Sequence, residues 1–217
     1  MGVLTRIFVL ICFACSIGLG TARAAEVKPA LLVFGDSLSA GYGIDVARAW
    51  PALLQRRIDD AGLGYRVVNA SISGETTAGG LARLPALLDA ERPRVVFVEL
   101  GANDGLRGLP LAAIKENLAS LLGMIHDRGA VAILTRMEVP PNYGPAYTRA
   151  YARLFGEFAV PGRVEIAPFI LQDVALKPEL LQADGLHPRE EAQVMLLDAV
   201  WPTIEGVLRT AAGAAAR

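Results

Sequence analysis

The chain alternates short β-branched apolar runs with longer segments of helical periodicity, and this alternation constrains its fold more than any other feature. Residues 30–34 (ALLVF), 65–69 (YRVVN), 94–100 (RVVFVEL), 130–135 and 163–166 read as five strands. Residues 45–58 read as a helix capped by Asp45, with Trp50, Leu53, Leu54 and Ile58 at helical spacing. Further helices are expected over 76–88, 111–128, 147–158 and 189–209. Pro85 leaves the course of the second uncertain, Gly129 stops the third, and Pro202 should kink or restart the last. The third strand is apolar enough for burial on both faces. Strands joined by crossover helices imply a single parallel sheet covered on both sides, an α/β fold.

The first 24 residues stand apart. Arg6 precedes an apolar run over residues 7–20, and Ala22-Arg23-Ala24 has the small-x-small form of a cleavage site. These parts read as a secretory signal peptide, residues 1–24, followed by one domain over 25–217; an uncleaved anchor is the alternative. Lipid attachment does not fit, because Ile11 precedes Cys12 and Phe13 lies just before Ala14-Cys15. Cleavage near Ala24 removes Arg6, Arg23 and both cysteines. It leaves 193 of the 217 residues, with 19 Lys+Arg against 22 Asp+Glu and a net charge of −3. The expected product is a periplasmic or secreted monomer with no stable membrane anchor. Several other classes fall away. At 53% hydrophobic and 20% charged residues the chain is too apolar to be disordered. Its charge balance offers no basic surface for nucleic acid. Two cysteines cannot staple a disulfide scaffold.

In parallel sheets, ligands bind beyond the carboxyl ends of the strands, so the polar residues there are the informative ones. Gly35-Asp36-Ser37 follows the first strand, and Ser71-Ile72-Ser73-Gly74-Glu75 follows the second. Gly101-Ala102-Asn103-Asp104-Gly105 follows the third, and Asp184-Gly185-Leu186-His187-Pro188 lies near the end of the chain. No metal is expected, since His126 and His187 are the only histidines and no cysteine survives the leader. No cofactor is expected either: there is no phosphate-binding loop, and Gly41-Tyr42-Gly43 lacks the third glycine of a dinucleotide fingerprint.

Nucleophilic catalysis fits these clusters better. Ser37 can present its hydroxyl from a turn after a buried strand. Asp184 and His187, three residues apart, let a carboxylate orient an imidazole that serves as general base and then general acid. The backbone N–H groups of Gly74 and Ser37 and the amide of Asn103 are available donors for an oxyanion. Taken singly, each residue reads as a turn or cap former; their joint occurrence at strand ends favours the chemical reading. Asp36 and Asp104 read as loop-ordering carboxylates, and His126 as a surface or packing histidine. No G-x-S-x-G is present, so the nucleophile elbow of larger α/β hydrolases is absent.

With their flanks, the segments GDSLSAGYG, AWPALL, NASISGETT, GLARLPALL, VELGANDGLRG and DGLHP resemble the SGNH (GDSL) hydrolases. Within that family they are similar to the bacterial periplasmic thioesterase I/lysophospholipase L1/arylesterase type. The resemblance spans almost the whole mature chain. It implies a three-layer α/β/α, flavodoxin-like domain with a five-stranded parallel sheet. It also implies Ser37 as nucleophile, His187 as acid/base, Asp184 as its partner, and Ser37, Gly74 and Asn103 as the oxyanion hole. Ala102 stands where relatives have glycine, and Glu75 where they have aspartate.

An acyl group needs an apolar surface near Ser37. Leu106, Leu109 and Pro110, in the loop after Asn103, and Tyr143, in the loop over residues 139–143, are the expected substrate contacts. Gly105 and Gly108 are expected either to let the first loop move or to belong to an ordinary connection. The expected substrates are small-molecule esters and thioesters with apolar acyl groups. An acetyl-carbohydrate esterase and a non-enzymatic periplasmic lipid-binding protein are the alternatives.

Overall fold

A computed structural model describes residues 28–215. The expected signal peptide lies outside them. Five strands, β1 (Ala30–Gly35), β2 (Arg66–Asn69), β3 (Val95–Glu99), β4 (Val131–Thr135) and β5 (Val164–Ala167), form one sheet in the order β2-β1-β3-β4-β5. Every neighbouring pair is parallel. The chain is therefore an α/β protein with the five-stranded parallel sheet that the sequence implies.

Alternation along the strands builds the layers. Leu31, Val33, Val95, Phe97 and Ile133 face one side, while Leu32, Phe34, Val96, Val98 and Leu134 face the other. The first face is covered by α2 (Trp50–Asp60) and α7 (Gln193–Ala215), through Trp50, Leu54, Ile58, Leu196, Val200 and Ile204. The second is covered by α3 (Thr77–Glu91), α5 (Leu111–Asp127) and α6 (Pro145–Leu154), through Leu84, Leu118, Leu121, Tyr151 and Leu154. Each fully buried side chain of this size contributes roughly 1.5–3 kcal/mol of apolar transfer. Two short helices complete the set: α1 (Ser37–Ala40) and α4 (Ala102–Leu106). Among the described residues no helix is long and apolar enough to cross a membrane.

Four local expectations are corrected. Asp45 caps a separate 3₁₀ turn, Val46–Arg48, and α2 begins only at Trp50. Pro51 has no N–H to offer the carbonyl of Ala47, so it starts a new helix rather than continuing one. Gln193 supplies the missing cap by accepting the Trp50 N–H at 3.0 Å, which ties the start of α2 to α7. Helix α6 begins two residues early, with Pro145 in its first turn, and tightens after Leu154 into the 3₁₀ turn Phe155–Phe158. The last helix, expected over 189–209, runs as α7 over Gln193–Ala215 after the 3₁₀ turn Glu190–Ala192. Helix α7 continues through Pro202, which removes the restart but not the kink expected there; Pro202 is exposed, so water can satisfy the carbonyl it leaves unpaired. Helix α3 likewise accommodates Pro85.

Trp50 meets Phe97 edge-on at 5.2 Å between centroids, where α2 lies on the central strand. Trp50→Ala should lower unfolding stability by about 3–5 kcal/mol, read as a fall in the urea midpoint at constant slope.

Candidate active site

In a sheet of this order the chain reverses its direction of winding between β1 and β3, which opens a crevice at their carboxyl ends. Ser37 follows β1 there as the first residue of α1. Asp36 caps that helix by accepting the Leu38 N–H at 3.0 Å. His187 reaches the same point from the loop before α7, and its Nε2 lies 2.8 Å from Ser37 Oγ. Its Nδ1 lies 2.6 Å from Asp184 Oδ2. Asp184 Oδ1 accepts the backbone N–H groups of Leu186 at 2.9 Å and His187 at 3.0 Å. These bonds from His187 and Leu186, with the His187 side chain, hold the Asp184 carboxyl down at about 2. An ionised Asp184 keeps a proton on Nδ1 and leaves Nε2 free to accept from the serine hydroxyl. Both members of the pair stay reachable, since the side chains of His187 and Asp184 are 21% and 38% exposed. The geometry therefore joins the three residues of the expected triad in one relay.

The expected oxyanion donors arrive from the neighbouring strands. Gly74 has φ +80°, a left-handed conformation that disfavours a side chain although the space beside it is open. Among the described residues the N–H groups of Ser37 and Gly74 have no protein acceptor. Asn103 differs. Its Nδ2 donates to Asp36 Oδ2 and to the Glu75 carbonyl, each at 2.9 Å, so both of its hydrogens already have partners. An oxyanion would have to share one of them.

The acidic neighbours order loops, as read from the sequence. Asp104 accepts the N–H of Thr77 at 2.9 Å and its hydroxyl at 2.5 Å, fixing the first turn of α3. Glu75 pairs with Arg83 at 2.7 Å, and Arg83 also lies over the Phe34 ring and donates to the Ala70 carbonyl. Here the longer side chain at Glu75 reaches a cation on the next helix. His126 accepts from Arg163, well away from the triad.

The four expected substrate contacts lie on one side. Leu106, Leu109 and Tyr143 are half-buried and Pro110 is exposed. Tyr143 donates to the Leu106 carbonyl at 2.6 Å, Tyr147 to that of Leu109 at 3.1 Å, and Tyr151 to that of Gly101 at 2.6 Å. The three rings stack along one face, with centroids 6.3 Å and then 5.9 Å apart. Gly105 is not a hinge: it is buried, and a Cβ there would meet Val139 at 2.6 Å and Tyr151 at 2.8 Å. Sequence reasoning missed three exposed apolar side chains beside the triad, Tyr42, Ile72 and Leu186. The Tyr42 ring lies 4.4 Å from that of His187. Ile72 and Leu186 lie inside the polar clusters, which was the available signal. A cavity of about 500 Å³ lies elsewhere, at the start of β4 along α7, and is lined by Val131, Pro202 and Val207.

Burial raises the Asp36 carboxyl to about 6, against the opposing pull of the Leu38 N–H, His187 and Asn103. A carboxyl raised by folding contributes stability in full below its unfolded value near 4 and loses that contribution as pH rises through about 6. Asp36→Asn should therefore flatten the decline in unfolding free energy between about pH 4 and pH 7. The difference should be on the order of 2–3 kcal/mol, measured by urea titration at each pH.

Comparisons with known proteins identify the family. Residues 33–194 match the model of the GDSL-like Lipase/Acylhydrolase family. The chain is 51% identical over 178 residues to esterase TesA of Pseudomonas aeruginosa, covering 82% of this chain and 89% of that one. It is 43% identical over 178 residues to thioesterase 1/protease 1/lysophospholipase L1 of Escherichia coli K12, covering 82% and 84%. Among solved structures it superposes with a TM-score of 0.79 on the psychrotrophic esterase EstA from Pseudoalteromonas sp., inhibited by monoethylphosphonate. That match is 38% identical and covers 83% of this chain and 98% of that one. The chain belongs to the GDSL-like lipase/acylhydrolase family and is an ester-hydrolysing enzyme.

Proposed function

We propose that this hydrolase is an exported monomer that cleaves esters and thioesters of apolar acyl groups through an acyl-enzyme on Ser37. The observation that carries the reading is the relay from Ser37 Oγ to His187 Nε2 at 2.8 Å and from His187 Nδ1 to Asp184 at 2.6 Å. Ser37 Oγ attacks the acyl carbonyl while His187 Nε2 takes its proton, and Asp184 stabilises the imidazolium that results. The oxyanion forms against the N–H groups of Ser37 and Gly74, with Asn103 sharing one of its amide hydrogens. Collapse expels the alcohol or thiol, which receives the proton from His187. A water then attacks the acyl-enzyme with His187 again as base, and the carboxylic acid leaves as Ser37 regains its proton.

The rim supports the apolar substrate class. Leu106, Leu109, Pro110 and Tyr143 on one side, with Tyr42, Ile72 and Leu186 close to the triad, give an acyl chain apolar surface to cover. Export rests on the arginine, apolar run and small residues of positions 1–24.

The test uses the mature protein with p-nitrophenyl esters and acyl-thioesters of increasing chain length. Ser37→Ala should lower turnover by about 10⁴- to 10⁶-fold while the thermal transition persists; retained turnover would remove Ser37 from the chemistry. Leu109→Ala should shift the preferred acyl length on the same series. An unchanged chain-length profile would take Leu109 out of the acyl surface.

A further inference from the structure

Glu99, the last residue of β3, is fully buried and takes no part in the chemistry above. Parallel pairing sets it opposite Gly35. Its Oε2 accepts the Asp36 N–H at 3.2 Å and the Ser39 hydroxyl at 2.7 Å. One oxygen thus holds residues on both sides of Ser37. Its other oxygen, Oε1, is buried with no partner among the described residues. Gly35 makes room for this carboxyl, because a Cβ there would lie 2.5 Å from Oε2 and 2.8 Å from Ser39 Oγ.

We propose that Glu99 is a positioning residue for Ser37, bracing from below the turn that carries the nucleophile; the inference rests on the nucleophile reading given above. Two accepted hydrogen bonds match the two lone pairs of one carbonyl oxygen. Burial pushes the Glu99 carboxyl well above its usual range, and the neighbouring Asp36 adds to the shift. No lysine or arginine among the described residues pairs with it. An ionised group here would leave an uncompensated oxygen in an apolar site. The neutral acid leaves Oε2 as acceptor and avoids that charge. The brace therefore works through geometry rather than charge, and a glutamine can reproduce it. Its carbonyl would accept the same two donors, with the amide nitrogen in the place of Oε1.

A displaced turn moves Ser37 Oγ relative to His187 while the acyl surface stays in place, so the loss falls on kcat rather than KM. Glu99→Leu and Glu99→Gln are compared with the parent and with Ser37→Ala. The measurements are p-nitrophenyl ester kinetics, the rate of covalent labelling by a fluorophosphonate, and thermal melting. Glu99→Leu should lower kcat about 10- to 100-fold and slow labelling in parallel, with KM changed by less than about threefold. Glu99→Gln should keep kcat within about threefold of the parent. A folded Glu99→Leu variant with parental kcat overturns the proposal, and so does a Glu99→Gln variant as slow as Glu99→Leu. Where Glu99→Leu does not fold, Ser39→Ala carries the test by removing one of the two bonds. It should lower kcat and labelling at unchanged KM, and parental rates overturn the brace. Activity retained by Ser37→Ala overturns the nucleophile reading itself. An inactive Ser37→Ala beside a fully active Glu99→Leu overturns only the brace.

Discussion

Parallel pairing of β1 with β3 brings two polar strand ends side by side, and the rest of the site is assembled around that contact. Each strand leaves the sheet in its own direction, so nothing in the ladder itself holds the following loops together. Side chains do that instead. Asn103, beyond β3, donates to Asp36 beyond β1 and to the Glu75 carbonyl beyond β2. One amide therefore joins three strand ends. Asp104, next to it, fixes the start of α3 through Thr77, and Asn117 on α5 donates to the same threonine hydroxyl at 3.0 Å. The polar residues at the sheet edge are thus structural members as well as chemical groups, and a buried polar network of this kind is stable only when its members are satisfied.

The acyl side is organised from a different element. Helix α6 and the turn before it present Tyr143, Tyr147 and Tyr151 one helical turn apart, and each hydroxyl takes a carbonyl of the segment after β3. The position of Leu106 and Leu109 is consequently set by packing on α6 rather than by the loop's own conformation. Gly105 serves the same end, since only a residue without a side chain lets α4 lie this close to Tyr151.

Most of the fold was legible because its signals are local. Apolar runs of five residues, a charge balance without basic patches, and Gly/Asp/Ser/Asn clusters at the run ends each occupy one stretch of sequence. The pairing of Asp184 with His187 was legible for the same reason, being three residues apart. What was hidden depends on contacts distant in sequence. Glu99 lies unremarked inside the run RVVFVEL, and only the register against Gly35 shows what its carboxyl faces. Both bonds of Asn103 cross between loops, so sequence gave it one role where the fold gives it two. The break before α2 could have been read from Pro51, and the tyrosine face from the spacing 143, 147, 151. Whether Pro202 would restart the last helix depends on its exposure, which periodicity alone does not reveal.

Two aspartates lie near His187, and their surroundings explain why only one orients it. Asp36 is adjacent to Ser37 in sequence, but it is 1% exposed and burial raises its carboxyl to about 6. Both of its oxygens are already engaged, one by the Leu38 N–H and the other by Asn103. Asp184 is more exposed and lies in a turn whose two N–H groups bond one oxygen, which leaves the other free for the imidazole. Its carboxyl is held at about 2, so it stays ionised throughout the range in which an imidazole exchanges its proton. A carboxylate that must stabilise an imidazolium has to keep its charge while the ring gains one. Water and backbone donors secure that charge for Asp184, whereas the dry surroundings of Asp36 work against it. The sequence neighbour of the proposed nucleophile is therefore suited to shaping the turn, and the residue 147 positions away is suited to supporting the proposed base.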